Sequence, residues 1–130
     1  MGKIDTALLG IPEQDAIQGG HKAYIQDVQN GKCYVIPEGK WTVGRKDDID
    51  LDIPIETEDL YMSRNHAFIT LRQNIIGENV LYICDFAQRT NPTRVDGYKI
   101  ECYYDFQLFD GSIIEMGYSK FKVHLNPLNT

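Results

Sequence analysis

The guanidiniums of Arg45 and Arg64, the hydroxyls of Ser63 and Thr90 and the amide of Asn91 stand in short segments that follow one another as Gly44-Arg45, Ser63-Arg64-Asn65-His66, Thr90-Asn91-Pro92-Thr93, Val95-Asp96-Gly97 and Asp110-Gly111-Ser112-Ile113-Ile114. These are residue types that grip a phosphate group. A guanidinium presents a planar fork that matches two phosphate oxygens. A serine or threonine hydroxyl donates one further bond, and bonds to an ionised acceptor are about twice as strong as neutral ones. Gly44 ends the apolar segment Trp41-Thr42-Val43 and lets the chain bend, so that Arg45 can swing over a loop surface. Ser63 and Arg64 come just before an alternating run that starts at Ala67. A lone Gly-Arg pair would read as a surface arginine after a turn; the ordered set is what points to a ligand.

Other chemistries fit less well. Ser63, His66 and Asp85 form the one grouping of nucleophile, base and orienting acid, but Ser63 and His66 are close neighbours at a loop-to-strand junction and no second motif suggests an oxyanion hole or a metal. Asp48, Asp50 and Asp52, with Glu56 and Asp59 after them, imitate a calcium loop. Ile53 stands where that loop needs glycine, Pro54 follows, and Asp59 is a methylene short of the bidentate glutamate. The segment reads instead as a short strand with Ile49, Leu51 and Ile53 inward and the carboxylates in water. Cys33, Cys84 and Cys102 are odd in number, far apart and without a C-x-x-C pair, which predicts reduced packing residues. Asn91-Pro92-Thr93 is excluded as a glycosylation acceptor by its central proline. Met1-Gly2 through Thr6 meets the loose myristoylation pattern, which is common by chance given Met-Gly. No cofactor and no catalytic activity are expected.

The elements that must position these residues are short. Turn signals recur at Asn30-Gly31, Pro37-Glu38-Gly39, Gly77-Glu78-Asn79, Asp96-Gly97, Asp110-Gly111 and Met116-Gly117-Tyr118, and the runs between them are rich in β-branched and aromatic residues. Phe121, Val123 and Leu125 alternate with polar neighbours, as do Ala67, Ile69 and Leu71, so each set shares a buried face. Val80–Cys84 is continuously apolar and predicts a strand covered on both sides. Asn30-Gly31 and Asp110-Gly111 are the clearest hairpin turns. No stretch of ten or more residues shows helical periodicity. The pattern predicts an all-β sandwich of two mostly antiparallel sheets. Its expected limits are residues 23–126, preceded by an extension over 1–22, tail or partly packed through Ile4 or Leu8-Leu9, and followed by a short tail over 127–130.

With 130 residues, 42% of them hydrophobic, the chain is one globular domain. No apolar run approaches the roughly 18 residues that span a membrane, and only Ala7-Leu8-Leu9 stands where a signal peptide would be apolar; a cytoplasmic protein without a membrane partner is expected. A net charge of −6 argues against nucleic-acid binding. Arg45, Lys46, Arg64, Arg89 and Arg94 nonetheless fall in the same few loops, a local positive patch on an acidic protein.

The ordered segments resemble the forkhead-associated domain over roughly residues 23 to 126. The resemblance implies a β-sandwich that binds phosphothreonine peptides through loops at one end, with Arg45, Ser63, Arg64, Thr90 and Asn91 as binding residues. It further implies that Gly44, His66 and Gly97 support the site, His66 by tying the serine loop to the Gly-Arg loop. In the family the hydroxyl at Thr90 faces the phosphate, the amide at Asn91 bonds the peptide main chain, and a small pocket takes the threonine methyl. Two positions depart from the family pattern. Pro92 replaces a glycine and biases Asn91 to an extended conformation, and Asp96 replaces the more frequent asparagine before Gly97. The expected function is a non-enzymatic protein-protein interaction module in signalling or complex assembly. The alternative within the same fold is a phosphate-independent scaffold or oligomerisation module; the hydrolase built on Ser63, His66 and Asp85 is the remaining rival.

Overall fold

Alternating runs become strands here because each has one face to bury, and the buried faces meet in a single core. The structure is a computed structural model that describes residues 4–47, 51–64, 66–85 and 91–128. In chain order these form β1 (Leu9–Ile11), α1 (Glu13–Gln18), β2 (Ala23–Asp27), β3 (Cys33–Val35), β4 (Gly39–Arg45), β5 (Ile53–Ile55), β6 (Ala67–Gln73), β7 (Asn79–Asp85), β8 (Arg94–Val95), β9 (Tyr98–Lys99), β10 (Phe106–Leu108), β11 (Ile113–Met116) and β12 (Ser119–Leu125). One sheet runs β1-β3-β2-β12-β11-β8-β9 and the other β10-β7-β6-β4-β5. The described pairs are antiparallel except β4 with β5. This is a β-sandwich.

The inward faces interdigitate. Ile25, Phe121, Val123, Ile114 and Met116 from the first sheet meet Val43, Ile53, Ile55, Ile69, Leu81 and Ile83 from the second, all essentially without solvent exposure. Full burial of side chains of this kind is worth about 1.5–3 kcal/mol each, so the core rather than the loops supplies the folding energy. Residues before β2 add to it: Ile4 belongs to the main core, while Ala16 of α1 packs with Tyr24, Cys33 and Val35 on the outer face. No helix among the described residues is long and apolar enough to cross a membrane, and no described group of acidic, histidine or cysteine residues could hold a metal ion.

Three local expectations differ from the structure. Asp110-Gly111 does turn the chain, with Gly111 at φ 88° and Ser112 N–H donating to Phe109 O at 3.0 Å. The strands it joins lie in different sheets, β10 on β7 and β11 on β12, so it is a crossover and not a hairpin. The β11–β12 hairpin turn is instead Gly117-Tyr118, with Gly117 at φ 65°. Val80–Cys84 is not covered on both sides: Leu81 and Ile83 are buried, whereas Val80 and Tyr82 are half-exposed on the outer face. Asp52 is not left in water either, since its carboxylate accepts from Thr42 N–H at 3.0 Å and Thr42 Oγ1 at 3.1 Å, fixing the start of the parallel strand. Asp48, Ile49 and Asp50 lie outside the described residues.

Candidate functional site

Register alone brings three loops together. Val43 lies opposite Ala67 and Ala67 opposite Asp85, so the end of β4, the start of β6 and the end of β7 are neighbours at one end of the sandwich. Arg45 and Ser63-Arg64 stand there, and the bonds from Thr93 N–H to the Asp85 carboxylate bring the chain just after Asn91 to the same end. Thr90, Arg89 and Asn65 lie outside the described residues.

Gly44 turns out to be a matter of space. It has no positive φ, but a Cβ built on it would stand 2.1 Å from Arg64 O and 2.7 Å from Ser63 O. The Ser63-Arg64 backbone crosses directly over the Gly-Arg step, which only glycine permits. The crossing is bonded on both sides: Arg45 N–H donates to Ser63 O at 3.0 Å and His66 N–H to Val43 O at 3.0 Å.

Arg45 is aimed by its own Nε, which donates to Met62 O at 3.1 Å. Among the described residues the two terminal nitrogens have no hydrogen-bonding partner, so the outer half of the guanidinium fork is open. His66 is fully buried, and its Nδ1 accepts from Ser63 N–H at 3.1 Å. An accepting Nδ1 leaves the ring proton of the neutral imidazole on Nε2. The histidine thus shapes the serine loop through its main chain, leaving the half-buried Ser63 hydroxyl without a partner among the described residues.

The positive patch is more balanced than charge counting suggests. Arg64, exposed, pairs with Asp47 at 3.0 Å, and Lys46 lies 3.7 Å from Glu56, which Lys32 also reaches at 3.2 Å. These are surface pairs of small energetic worth. Arg94 is exposed on β8, opposite Lys99 and Glu115. Arg45 is the described arginine with a fixed stem and an open fork.

Asp85 does not orient His66. It accepts from Thr93 instead, from the N–H and from the Oγ1, and both residues are buried. The nucleophile-base-acid geometry of the hydrolase reading is therefore not assembled. This pair anchors the chain directly after Asn91-Pro92, both half-buried. Nothing in the sequence marks Thr93 for that role, because the anchor joins a strand end to a residue eight positions further along the chain. Asp96 (φ 51°) and Gly97 (φ 87°) close the β8–β9 hairpin, and Asp96 Oδ1 accepts from Ile113 N–H at 2.9 Å; Gly97 supports that hairpin rather than touching Arg45 or Ser63.

Sequence reasoning also missed Asp59 and Gly117. The Asp59 carboxylate gathers Tyr61 N–H (3.0 Å), Tyr118 N–H (2.7 Å) and Ser119 Oγ (2.8 Å). Burial alone would raise its pKa, but the bonds from Ser119 Oγ, then from the N–H groups of Tyr118, Tyr61 and Ser119, outweigh burial and hold it below the usual carboxylate value. A Cβ on Gly117 would stand 2.5 Å from Met62 N, so the β11–β12 turn backs the same loop. Beside it opens a groove of about 940 Å³ between the β2–β3 and β5–β6 loops, walled by Asp27, Glu58, Tyr61 and Tyr118, the two rings 4.4 Å apart.

Residues 41–117, more than half of the chain, match the FHA domain family. The chain belongs to it. Solved FHA domains share its fold. An FHA domain from a structural and functional study of phosphothreonine-dependent FHA interactions has a TM-score of 0.65 and 27% identity, covering 82% of this chain and 98% of its own. The FhaA FHA domain complexed with the intracellular domain of Rv3910 has a TM-score of 0.63 and 26% identity, covering 78% and 99%. The yeast Dun1 FHA domain, in complex with a doubly phosphorylated peptide from Rad53, shares the fold at 21% identity, with a TM-score of 0.63 and coverage of 83% and 77%. No curated protein matches the sequence.

Proposed function

We propose that this FHA domain binds a phosphothreonine segment of a partner protein and performs no chemistry on it. The phosphate docks on Arg45, Ser63, Arg64 and Thr90, Asn91 bonds the peptide main chain, Gly44 and His66 hold the loops in place, and Gly97 supports the neighbouring β8–β9 hairpin. The observation that carries this reading is the open outer half of the Arg45 fork, held by the Nε bond to Met62 O beside a serine hydroxyl with no described partner. Family membership and the phosphothreonine-dependent interactions studied for a similar FHA domain support it. A phosphate monoester at neutral pH carries a charge of about −1.5 to −2, so the arginines gain far more from it than from unmodified threonine. Arg64 exchanges Asp47 for the phosphate, a small cost for an exposed pair.

Calorimetric titration of matched phosphothreonine, phosphoserine and unphosphorylated peptides tests the reading. The phosphothreonine form binds best; burying its extra methyl is worth about 0.8 kcal/mol over phosphoserine. Equal affinity for the two phosphorylated forms rejects the methyl pocket. Equal affinity for all three rejects phosphate reading and leaves the scaffold alternative.

A further inference from the structure

A second surface lies on the side of the sandwich where both sheets end. There β10 closes one sheet and the β8–β9 hairpin the other. Between them runs a cleft of about 420 Å³ lined by Tyr82, Tyr104, Phe106 and Phe109 together with Asp96 and Asp105. Tyr104 and Phe109 are each 61% exposed. Scattered exposed aromatics are ordinary, but four rings on one cleft mark a contact surface. None of the described residues lining it is a lysine or arginine. The remaining ligand chemistry is therefore cationic: ring faces attract a guanidinium or ammonium, and two carboxylates frame them. Tyr82 already illustrates the preference, with the Arg72 guanidinium 4.6 Å from its centroid on the β6 side.

The strand beside the cleft supplies an independent observation. Within its sheet β10 pairs only with β7, so its other edge carries backbone groups that no described strand uses. An extended segment aligned on that edge would present alternate side chains to the cleft. The two features together specify the occupant: an extended backbone for the edge and basic side chains for the rings and carboxylates.

We propose that this edge is a second docking site, taking an extended basic segment of a partner protein whose arginine or lysine side chains enter the aromatic cleft between Asp96 and Asp105. Arg45, Ser63, Arg64 and Asn91 do not line it, and it stands whether or not they bind phosphothreonine. The two surfaces sort their ligands by charge, since the carboxylates that favour a cation here repel a phosphate.

The experiment uses the full chain, labelled with nitrogen-15, and a short unphosphorylated probe peptide alternating arginine with serine. Saturable amide shifts are expected at Asp96, Asp105, Gln107 and Ser112, and none with the probe in which glutamate replaces arginine. Asp105→Lys weakens binding roughly tenfold or more, the scale of one lost charge-assisted cation contact, and Phe109→Ala weakens it as well. Asp15→Lys makes the same change in net charge on α1, far from the cleft, and leaves affinity within about twofold, less than the tenfold that marks a specific contact. Both substituted aspartates are exposed, and the amide spectra verify that each variant is folded. Shifts without saturation, shifts centred on the groove between Asp27 and Tyr118, or equal weakening by Asp105→Lys and Asp15→Lys would each overturn the proposal.

Discussion

The loop between β5 and β6 and the loop between β6 and β7 flank the same strand, yet they are held in opposite ways. Asn74–Glu78 is held largely from within: the Asn74 side chain accepts from Ile76 N–H and Glu78 N–H and donates to Glu78, and Gly77 N–H returns to Asn74 O, while Glu78 at its end also bridges to Leu128. Residues 56–64 are braced from outside. Tyr34 Oη accepts from Glu56 N–H, Arg45 donates to Met62 O and Ser63 O, His66 holds Ser63, and Tyr118 and Ser119 hold Asp59. A loop that needs only to reverse the chain can be written locally. One that must hold an arginine fork open is fixed by residues far away in sequence, and a perturbation of any of them reaches the site.

Arg45→Ala should separate binding from folding most sharply. Removing the fork costs about 2–5 kcal/mol of phosphopeptide affinity, the range for breaking a desolvated charge pair. Thermal stability falls much less, by about 0.5–1.5 kcal/mol, because the half-buried Arg45 at the end of β4 gives up the hydrogen bond from Nε to Met62 O. Calorimetry and thermal unfolding on one preparation measure both. Unchanged affinity would place the phosphate elsewhere.

Gly44→Ala and Gly77→Ala then compare the two loops directly. A Cβ at Gly44 meets backbone at 2.1 Å and must push the Ser63-Arg64 segment away, costing about 1–3 kcal/mol of stability as overpacking does, with phosphopeptide affinity falling too. At Gly77 the added Cβ meets nothing within 4 Å, and only the positive φ of 85° is strained, for about 1 kcal/mol. Phosphopeptide affinity should not respond to Gly77→Ala. If both variants weakened binding alike, the contrast between a loop braced from outside and one held largely from within would be wrong.

These pairs also show where the sequence could and could not be read. Arg45, Ser63 and Asn91 stood out because their types and order are chemical, and the alternation in Ala67–Leu71 and Phe121–Leu125 carried the sandwich. The partner of Asp59 could not be read, since Tyr118 and Ser119 lie across the fold and carry no mark of it. Asp110-Gly111 announced a turn, but a turn signal does not say which sheet the next strand joins. Val80–Cys84 looked doubly covered because a run of apolar residues does not reveal that Arg72 and solvent, rather than a third layer, lie over Tyr82.

Asp59 predicts how the braced loop responds to acid. Its folded-state pKa is lowered, so its contribution to stability is present above the unfolded carboxylate value near 4 and is lost as pH falls through the folded value. Thermal melts between neutral pH and about pH 3, a window spanning the ordinary carboxylate range, should fall less steeply for Asp59→Asn than for the parent chain. Parallel curves would show that the carboxylate charge is not what holds Tyr118 and Ser119.

The smallest effect belongs to the far loop. Ile75 is 103% exposed and Ile76 77%, so replacing both with serine removes apolar surface that folding never buried. The bonds that close the loop run through Asn74, Gly77 and Glu78, and both substitutions leave them intact. Stability should stay within about 0.5 kcal/mol of the parent, the usual range for surface substitutions, and phosphopeptide affinity should not move. Thermal unfolding with the matched phosphothreonine titration checks both. A drop of several degrees would mean that the two isoleucines are packed, and a change in affinity would couple the hairpin tip to loops at the other end of the sandwich, removing the distinction between a loop that merely turns the chain and one that is held to bind.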